Sequence, residues 1–180
     1  MARPGRNSSQ ENILNPARTF FTTTKTSMSR RLLQTERNAT LLIDVLRFLV
    51  AEQKFKLHDF VIMPDHVHLL LTVEEGMTIE KAMQLIKGRF SHRLTNEFGH
   101  LGEVWQRGFS EVQVLNKGNF MQHRDYIAMN PVKAGLVDSP EQYPYCFQFL
   151  ANKKAAGAMQ TSEKEQNSKQ CITGAKALVN

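Results

Sequence analysis

The stretch Met63-Pro64-Asp65-His66-Val67-His68-Leu69-Leu70 constrains this chain more than any other. It is an apolar run interrupted by two histidines at i and i+2, directly after a Pro-Asp turn signal. Successive side chains of a β-strand point to opposite faces, so His66 and His68 share one face while Val67 and Leu69 take the other. A strand here needs a core on the Val67 side and a polar use for the His66 side. Two neutral imidazoles side by side suit a divalent cation when a third ligand arrives from elsewhere. Half-buried histidines satisfied by hydrogen bonds fit the same pattern, and the pair alone does not decide between the two.

The flanking sequence supplies the rest of a sheet. Thr19 to Thr26, rich in Thr and Phe, predicts a first strand. Thr35 to Gln53 predicts a helix, because Leu41, Leu42, Val45, Leu46, Leu49 and Val50 recur at helical spacing. Phe55 to Met63 predicts a second strand, joined through Pro64-Asp65 to a third at His66 to Val73 as a hairpin. Thr78 suits an N-cap, with Glu80 in the first turn of a helix running to about Phe98 on a stripe of Ile79, Met83, Ile86, Phe90 and Leu94. Val104 to Phe109 leads into an expected fourth strand that runs through about Leu115. Lys117-Gly118-Asn119 ends it, with Gly118 suited to a hinge. Phe120 opens a helix through Asn130, which Pro131 breaks or re-caps. Residues 140–150 are irregular but aromatic and are expected to pack on the core. This order predicts an α+β fold: a ferredoxin-like antiparallel sheet with helices packed mainly on one face.

Residues 1–17 and 151–180 are poor in apolar residues, so both are expected to be disordered and 18–150 to form the single domain. Most of the net charge of +6 falls in those ends, since 18–150 carry 16 basic and 14 acidic residues. Net charge therefore argues little about partners; local patches must do so. The N-terminal segment lacks the apolar stretch of a signal peptide, and Leu41 to Val50 is too short and too charged to span a bilayer. No membrane partner is expected. Cys146 and Cys171 have no C-x-x-C spacing, which predicts a reducing, cytoplasmic setting.

In the last predicted helix Gln122, Tyr126 and Asn130 lie at i, i+4 and i+8 on one stripe with His123 beside it. Phe120, Met121, Ile127 and Ala128 would hold the other side to the sheet. Tyr126 can pack with its hydroxyl bonded, or act as a nucleophile beside a cation that stabilises charge on a phosphodiester. Asn130 can cap the turn at Pro131, or offer a side-chain oxygen to that cation. On the helix 78–98, Lys81, Arg89, His92 and Arg93 form either a solvated face or a phosphate-tracking one.

With these residues in order, the chain resembles the single-tyrosine HUH transposases, and within them the REP-associated tyrosine transposases. The stretches that carry the resemblance are Val61 to Leu70, Ile86-Lys87-Gly88-Arg89-Phe90, Trp105-Gln106-Arg107-Gly108-Phe109, and Tyr126-Ile127-Ala128-Met129-Asn130-Pro131-Val132-Lys133-Ala134-Gly135-Leu136-Val137. The resemblance implies a metal-dependent endonuclease and strand transferase acting on single-stranded or hairpin DNA, as monomer or homodimer. It implies Tyr126 as the nucleophile that becomes a 5′-phosphotyrosine, and His66, His68 and Asn130 as ligands of Mg²⁺ or Mn²⁺. Lys87, Arg89 and Arg93 become candidate phosphate contacts, with Trp105 and Arg107 as further DNA contacts. Asp65 stands where the family usually has Asn, Ser110 where an aromatic is common, and Tyr145 where Trp is common. Two other classes stay open: a hairpin-binding module without turnover, and a hydrolase that uses metal-bound water instead of tyrosine.

Overall fold

Four strands pair antiparallel throughout, in the order β2-β3-β1-β4, in a computed structural model that describes residues 17–153. They are β1 (Arg18–Lys25), β2 (Lys56–Ile62), β3 (His66–Val73) and β4 (Ser110–Val114). The helices are α1 (Glu36–Ala51), α2 (Ile79–Phe98) and α3 (Lys117–Lys133). With β1-α1-β2-β3-α2-β4 in chain order, this is the expected ferredoxin-like arrangement. Of the tails expected to be disordered at 1–17 and 151–180, residues 1–16 and 154–180, Cys171 among them, lie outside the described residues, whereas 151–153 are helical. No helix among the described residues is long and apolar enough to cross a membrane.

The alternation of β3 divides the interior in two. Val67, Leu69, Leu71 and Val73 join Phe20, Phe60 and Ile62 on one face, buried against Leu42, Leu46, Met83, Ile86 and Phe90 of α1 and α2. Leu70 lies on the other face with Val61 and Met63, buried against Ile127, Tyr143 and Cys146. Helices α1 and α2 therefore cover one face, and α3 crosses the other. The stripes expected on α1 and α2 are the buried ones, except that Val50 is exposed and Ile43 is buried in its place. Thr35, Thr78 and Asn116 cap the three helices, each side-chain oxygen accepting from the backbone N–H three residues on.

A β-bulge between Leu57 and Asp59 resets β2. Leu57 and Phe60 both serve the large core. His58 and Asp59 both turn to α3, where His58 meets the Phe120 ring and Asp59 accepts from Arg124 at 3.1 Å. Residues 143–146 close the free edge of β2: Ile62 N–H donates to the Tyr145 carbonyl, and the Tyr143 hydroxyl donates to the Ile62 carbonyl at 2.7 Å. The aromatic 140–150 stretch thus packs as expected, and residues 147–153 add a short helix.

Strand β4 begins at Ser110, after the 104–109 stretch that leads into it, in which Trp105 makes an isolated bridge to Thr26 and the chain loops out through Gly108 at φ 71°. One expected element differs in its bounds. Helix α3 is longer at both ends. Lys117-Gly118-Asn119 is its first turn, and Gly118 serves the cap, since a Cβ there would stand 3.2 Å from Asn116 Oδ1. Pro131 lies inside the helix, which continues to Lys133.

Phe90 is fully buried between the two helices and the sheet. Replacing it with Ala should lower the unfolding free energy by about 3–5 kcal/mol. Urea denaturation followed by circular dichroism would show it; a loss below about 1 kcal/mol would mean that this core is not the one that holds the sheet.

Candidate active site

The Pro64-Asp65 turn is clamped where β1 ends. Thr26 N–H donates to the Asp65 carbonyl at 2.8 Å, Thr26 Oγ1 donates to it at 3.0 Å, and Leu33 N–H donates to the Pro64 carbonyl at 2.8 Å. The two histidines just beyond it lie 4.8 Å apart, centroid to centroid. Each ring is oriented through Nδ1. His66 Nδ1 donates to the Asp65 carboxylate at 2.7 Å, and His68 Nδ1 is hydrogen-bonded to Thr23 Oγ1 at 2.8 Å. Donation from both Nδ1 atoms leaves both Nε2 lone pairs for a further partner, the orienting pattern common around histidine ligands. The carboxylate of Asp65 therefore holds His66 while its backbone makes the turn.

His68 Nε2 is buried and has no hydrogen-bond partner among the described residues. Burial first, then the nearby His66 and Lys25, push the His68 pKa down to about 3, so the ring is neutral and its lone pair available at physiological pH. A buried nitrogen without a partner costs stability unless something occupies it, so the donor set fits a cation. Among the described residues no group of three His, Cys, Asp or Glu could share such an ion. Among the described residues a third ligand would then be a neutral group, and an ion held by neutral groups would keep its charge for an anionic partner.

Tyr126 faces this strand from α3. Its ring stands edge-on to His68 at 5.3 Å and to Phe21 at 5.7 Å, yet the residue remains 42% exposed. Phe21 stacks between His68 at 5.4 Å and His123 at 4.4 Å, so one aromatic from β1 spaces the histidine strand from the tyrosine helix. Burial lowers the pKa of His123, as suits a ring in a stack. Helix α3 climbs toward the histidine end of the sheet, with Phe120 against His58 and Tyr126 against His68. Asn130 lies about 6 Å farther along the helix. That advance matches the ~6.6 Å from His68 to His66 along the strand. Its side-chain amide nitrogen donates to the Tyr126 carbonyl at 3.3 Å, which turns Oδ1 away from the helix backbone. The cap for a turn at Pro131 does not form, because the helix runs through.

The expected DNA contacts do not gather at this site. Lys87, Arg89 and Arg93 lie on α2, across the sheet from the histidines. Lys87 Nζ donates to the carbonyls of Gln106 and Gly108 at 2.8 and 2.7 Å, and burial lowers its pKa. Arg89 lies over the Phe48 ring at 3.5 Å, and Arg93 is paired with Glu97. Trp105 is buried against Phe90, with its indole N–H donating to the Lys87 carbonyl, so it supports the 105–109 loop on α2 instead of presenting a ring for stacking. Arg107 is exposed in that loop, which runs beside the end of β1.

Phe21, Thr23 and Lys25 were not singled out from the sequence. Alternation in β1 places all three on the face opposite Phe20, but only the register Thr23↔His68 and Lys25↔His66 brings them to the site, and pairing of distant strands sets that register.

This antiparallel sheet, with a histidine strand faced by a tyrosine helix, has the architecture of a single-tyrosine transposase domain. The chain belongs to the IS200-like transposase family, whose model matches residues 21–130. Over 131 residues it is 29% identical to the REP-associated tyrosine transposase of Escherichia coli (strain K12), covering 70% of this chain and 73% of that protein. A structure of the REP-associated tyrosine transposase bound to a REP hairpin superposes with a TM-score of 0.65 at 26% identity, covering 81% of this chain and 82% of that one. A crystal structure from Deinococcus radiodurans, 23% identical with a TM-score of 0.50, covers 70% of this chain and 95% of the other and shares the fold.

The depressed His68 pKa has a thermodynamic consequence. The unfolded chain protonates this ring near pH 6.5 and the folded chain only near 3, so the unfolded state binds more protons throughout that window. His68 thus contributes stability that is complete above pH 6.5 and is lost as pH falls toward 3, with a slope of about 1.4 kcal/mol per pH unit at most. Urea unfolding of the wild type and of His68→Gln at pH 7 and 4.5 would measure it. Equal pH slopes in the two proteins would show that His68 titrates normally.

Proposed function

We propose that the protein is a metal-dependent single-strand DNA endonuclease and strand transferase that forms a 5′-phosphotyrosine through Tyr126. The observation that carries this reading is the buried Nε2 of His68, without a hydrogen-bond partner among the described residues, beside an exposed tyrosine. The family match and the relative solved with a REP hairpin support DNA, in single-stranded or hairpin form, as the substrate.

His66 and His68 would hold a Mg²⁺ or Mn²⁺ ion through Nε2, with Asn130 Oδ1 as the neutral third ligand. When bound, the ion supplies Lewis-acid polarisation of the scissile phosphate and offsets the charge that develops there. Asp65 and Thr23 keep the two rings in orientation, and Phe21 keeps the tyrosine ring at its distance. In the reaction Tyr126 Oη forms a bond to phosphorus while the bond from phosphorus to the 3′ oxygen breaks. The phenol proton passes to solvent, the 3′ oxygen leaves as a hydroxyl after taking up a proton, and the 5′ phosphate stays on the tyrosine. Another 3′-hydroxyl reverses these steps, and no nucleotide cofactor is required because the phosphodiester energy is retained.

DNA at the histidine end meets Arg107 on the exposed loop. To reach Arg89 and Arg93 on α2 it must pass around that loop, so these two become outlying phosphate contacts, and Lys87 acts by holding the loop. A monomer and a homodimer both satisfy this arrangement.

The test uses the full chain, Mn²⁺ or Mg²⁺, and labelled hairpin oligonucleotides drawn from DNA flanking its own gene. Label should migrate with protein on a denaturing gel, and this adduct should vanish without metal and in Tyr126→Phe. In His66→Ala or His68→Ala it should fall at least a hundredfold. Metal-dependent cleavage without an adduct would instead establish a hydrolase using water. Binding with neither cleavage nor adduct across the pool would establish a hairpin-binding module. Independently, calorimetric titration with Mn²⁺ should show a single site that His68→Ala removes; equal heats from both proteins would place the ion elsewhere.

A further inference from the structure

Where β1 ends, the chain turns through Thr26-Ser27-Met28-Ser29-Arg30 without glycine, asparagine or aspartate. Met28 and Ser29 nevertheless take the left-handed conformation in succession, at φ 55° and 50°. A residue with a Cβ is disfavoured there, because that atom crowds the following carbonyl oxygen. Hydrogen bonds hold the turn in this shape. Thr26 Oγ1, already on the Asp65 carbonyl, is shared with the Arg30 carbonyl at 2.6 Å. Ser29 N–H donates to the Thr26 carbonyl at 3.1 Å and Arg30 N–H to the Ser27 carbonyl at 3.2 Å. Ser27 N–H donates to the Val104 carbonyl at 2.9 Å, and the Arg30 guanidinium donates to the Ser27 and Glu103 carbonyls. Burial of Met28 does not offset the strain. Its side chain is 78% exposed, whereas a methionine that filled a gap in the core would be covered. A strained position that its surroundings enforce, with an apolar side chain projecting into solvent, points to a use outside the fold.

The place of the turn indicates what Met28 meets. Thr26 is bonded to the carbonyl of Asp65, the residue before His66, and bridges to Trp105. The Cα of Met28 lies within about 8 Å of that of Thr26, roughly two nucleotide steps. Exposed cations flank it: Lys25 opposite His66, Arg31 on the chain that follows, and Arg107 on the neighbouring loop. Gln106 ties that loop to the turn, its side-chain amide donating to Ser29 Oγ at 3.5 Å and its N–H to the Lys25 carbonyl at 2.9 Å. The acidic neighbours are engaged, Asp65 with His66 and Glu103 with Ser27 Oγ at 3.4 Å. An apolar tip flanked by cations suits a polyanion that carries flat apolar faces, and methionine is among the side chains that wedge between stacked bases.

We propose that Met28 is a wedge that inserts between the last base pair of a DNA hairpin and the nucleotide next to it, so that the single strand leaves the duplex there and passes to the histidines and Tyr126. This rests on the nuclease reading above and names the feature of the substrate that the site takes, a junction of duplex and single strand. The thioether covers the end of the duplex and offsets the stacking lost where the strand turns away. The turn is already locked in the free protein, so the wedge needs no ordering of its backbone when DNA arrives.

The experiment uses the full chain, Mn²⁺ and the same hairpin oligonucleotides, with fluorescent 2-aminopurine as the nucleotide next to the foot, on the 5′ side in one and the 3′ side in another. In Tyr126→Phe protein the fluorescence should rise about threefold or more on binding on one of the two sides, and adding Met28→Ala should remove most of that rise. With Tyr126 intact, Met28→Ala should slow adduct formation by about fivefold or more, and Met28→Leu should keep most of the rate. An abasic residue at the same nucleotide leaves nothing to unstack, and should bring Met28→Ala within about twofold of wild type. Met28→Gly relieves the backbone strain, so it should unfold at a higher urea concentration than wild type yet open the junction no better than Met28→Ala. A rise that Met28→Ala leaves intact, or no rise on either side, would overturn the proposal. A lower urea midpoint for Met28→Gly would overturn it as well, by giving the side chain a place in the fold. So would a dimer in sedimentation that Met28→Ala dissociates while the fluorescence rise persists, which would make Met28 a contact between copies of the chain. A Met28-dependent rise in a protein that forms no adduct would keep the wedge and reject only the nuclease reading.

Discussion

Strand β3 is buried on both faces, and the rest of the molecule is arranged around that constraint. Its odd residues Val67, Leu69, Leu71 and Val73 hold the large core against α1 and α2. Its even residues His66, His68, Leu70 and Thr72 face α3, and the first two are the candidate ligands. Slipping the register by one residue would bury imidazoles in the large core and turn four aliphatic side chains toward the tyrosine helix. The apolar core therefore fixes the face on which the chemistry sits. With β1 and β2 on either side, β3 is also rigid in the plane of the sheet.

Much of this was legible in the sequence because it rests on local periodicity. The His66–His68 face, the α1 and α2 stripes and the Thr78 cap each follow from spacing that a strand or helix imposes. The family resemblance, carried by motifs at 61–70 and 126–137, was legible too, and the match over residues 21–130 agrees with it. What was not legible depends on partners distant in sequence. Phe21 matters because three rings converge on it, and Thr23 because register sets it opposite His68. Pro131 suggested a helix end, whereas the helix runs through it, and the turn that follows closes at Gly135, where a glycine suits the left-handed cap position. Trp105 drew notice as an aromatic beside basic residues, whereas its indole N–H and its burial tie it to α2.

The site and the charged surface are separate. At the histidines burial keeps His68 neutral, and positive residues stand around the pair: Lys25 at the end of β1, Lys133 over the tyrosine and Arg107 on the loop. On α2 the cations are largely engaged within the protein, Lys87 with loop carbonyls, Arg89 with an aromatic ring and Arg93 with a carboxylate. A near-balanced domain charge is therefore compatible with a polyanionic substrate. The positive potential that matters is local, where a phosphate would approach the tyrosine.

The stack of His68, Phe21 and His123 bears on how a ligand would be received. A ring held by parallel faces on one side, a tyrosine edge on another and a hydrogen bond at Nδ1 has a single rotamer left to it. Its conformational entropy is surrendered when the chain folds, well before any ion arrives. A ligand at Nε2 would then need no ordering of His68, so little of the favourable energy of that bond would be offset by lost rotamer freedom.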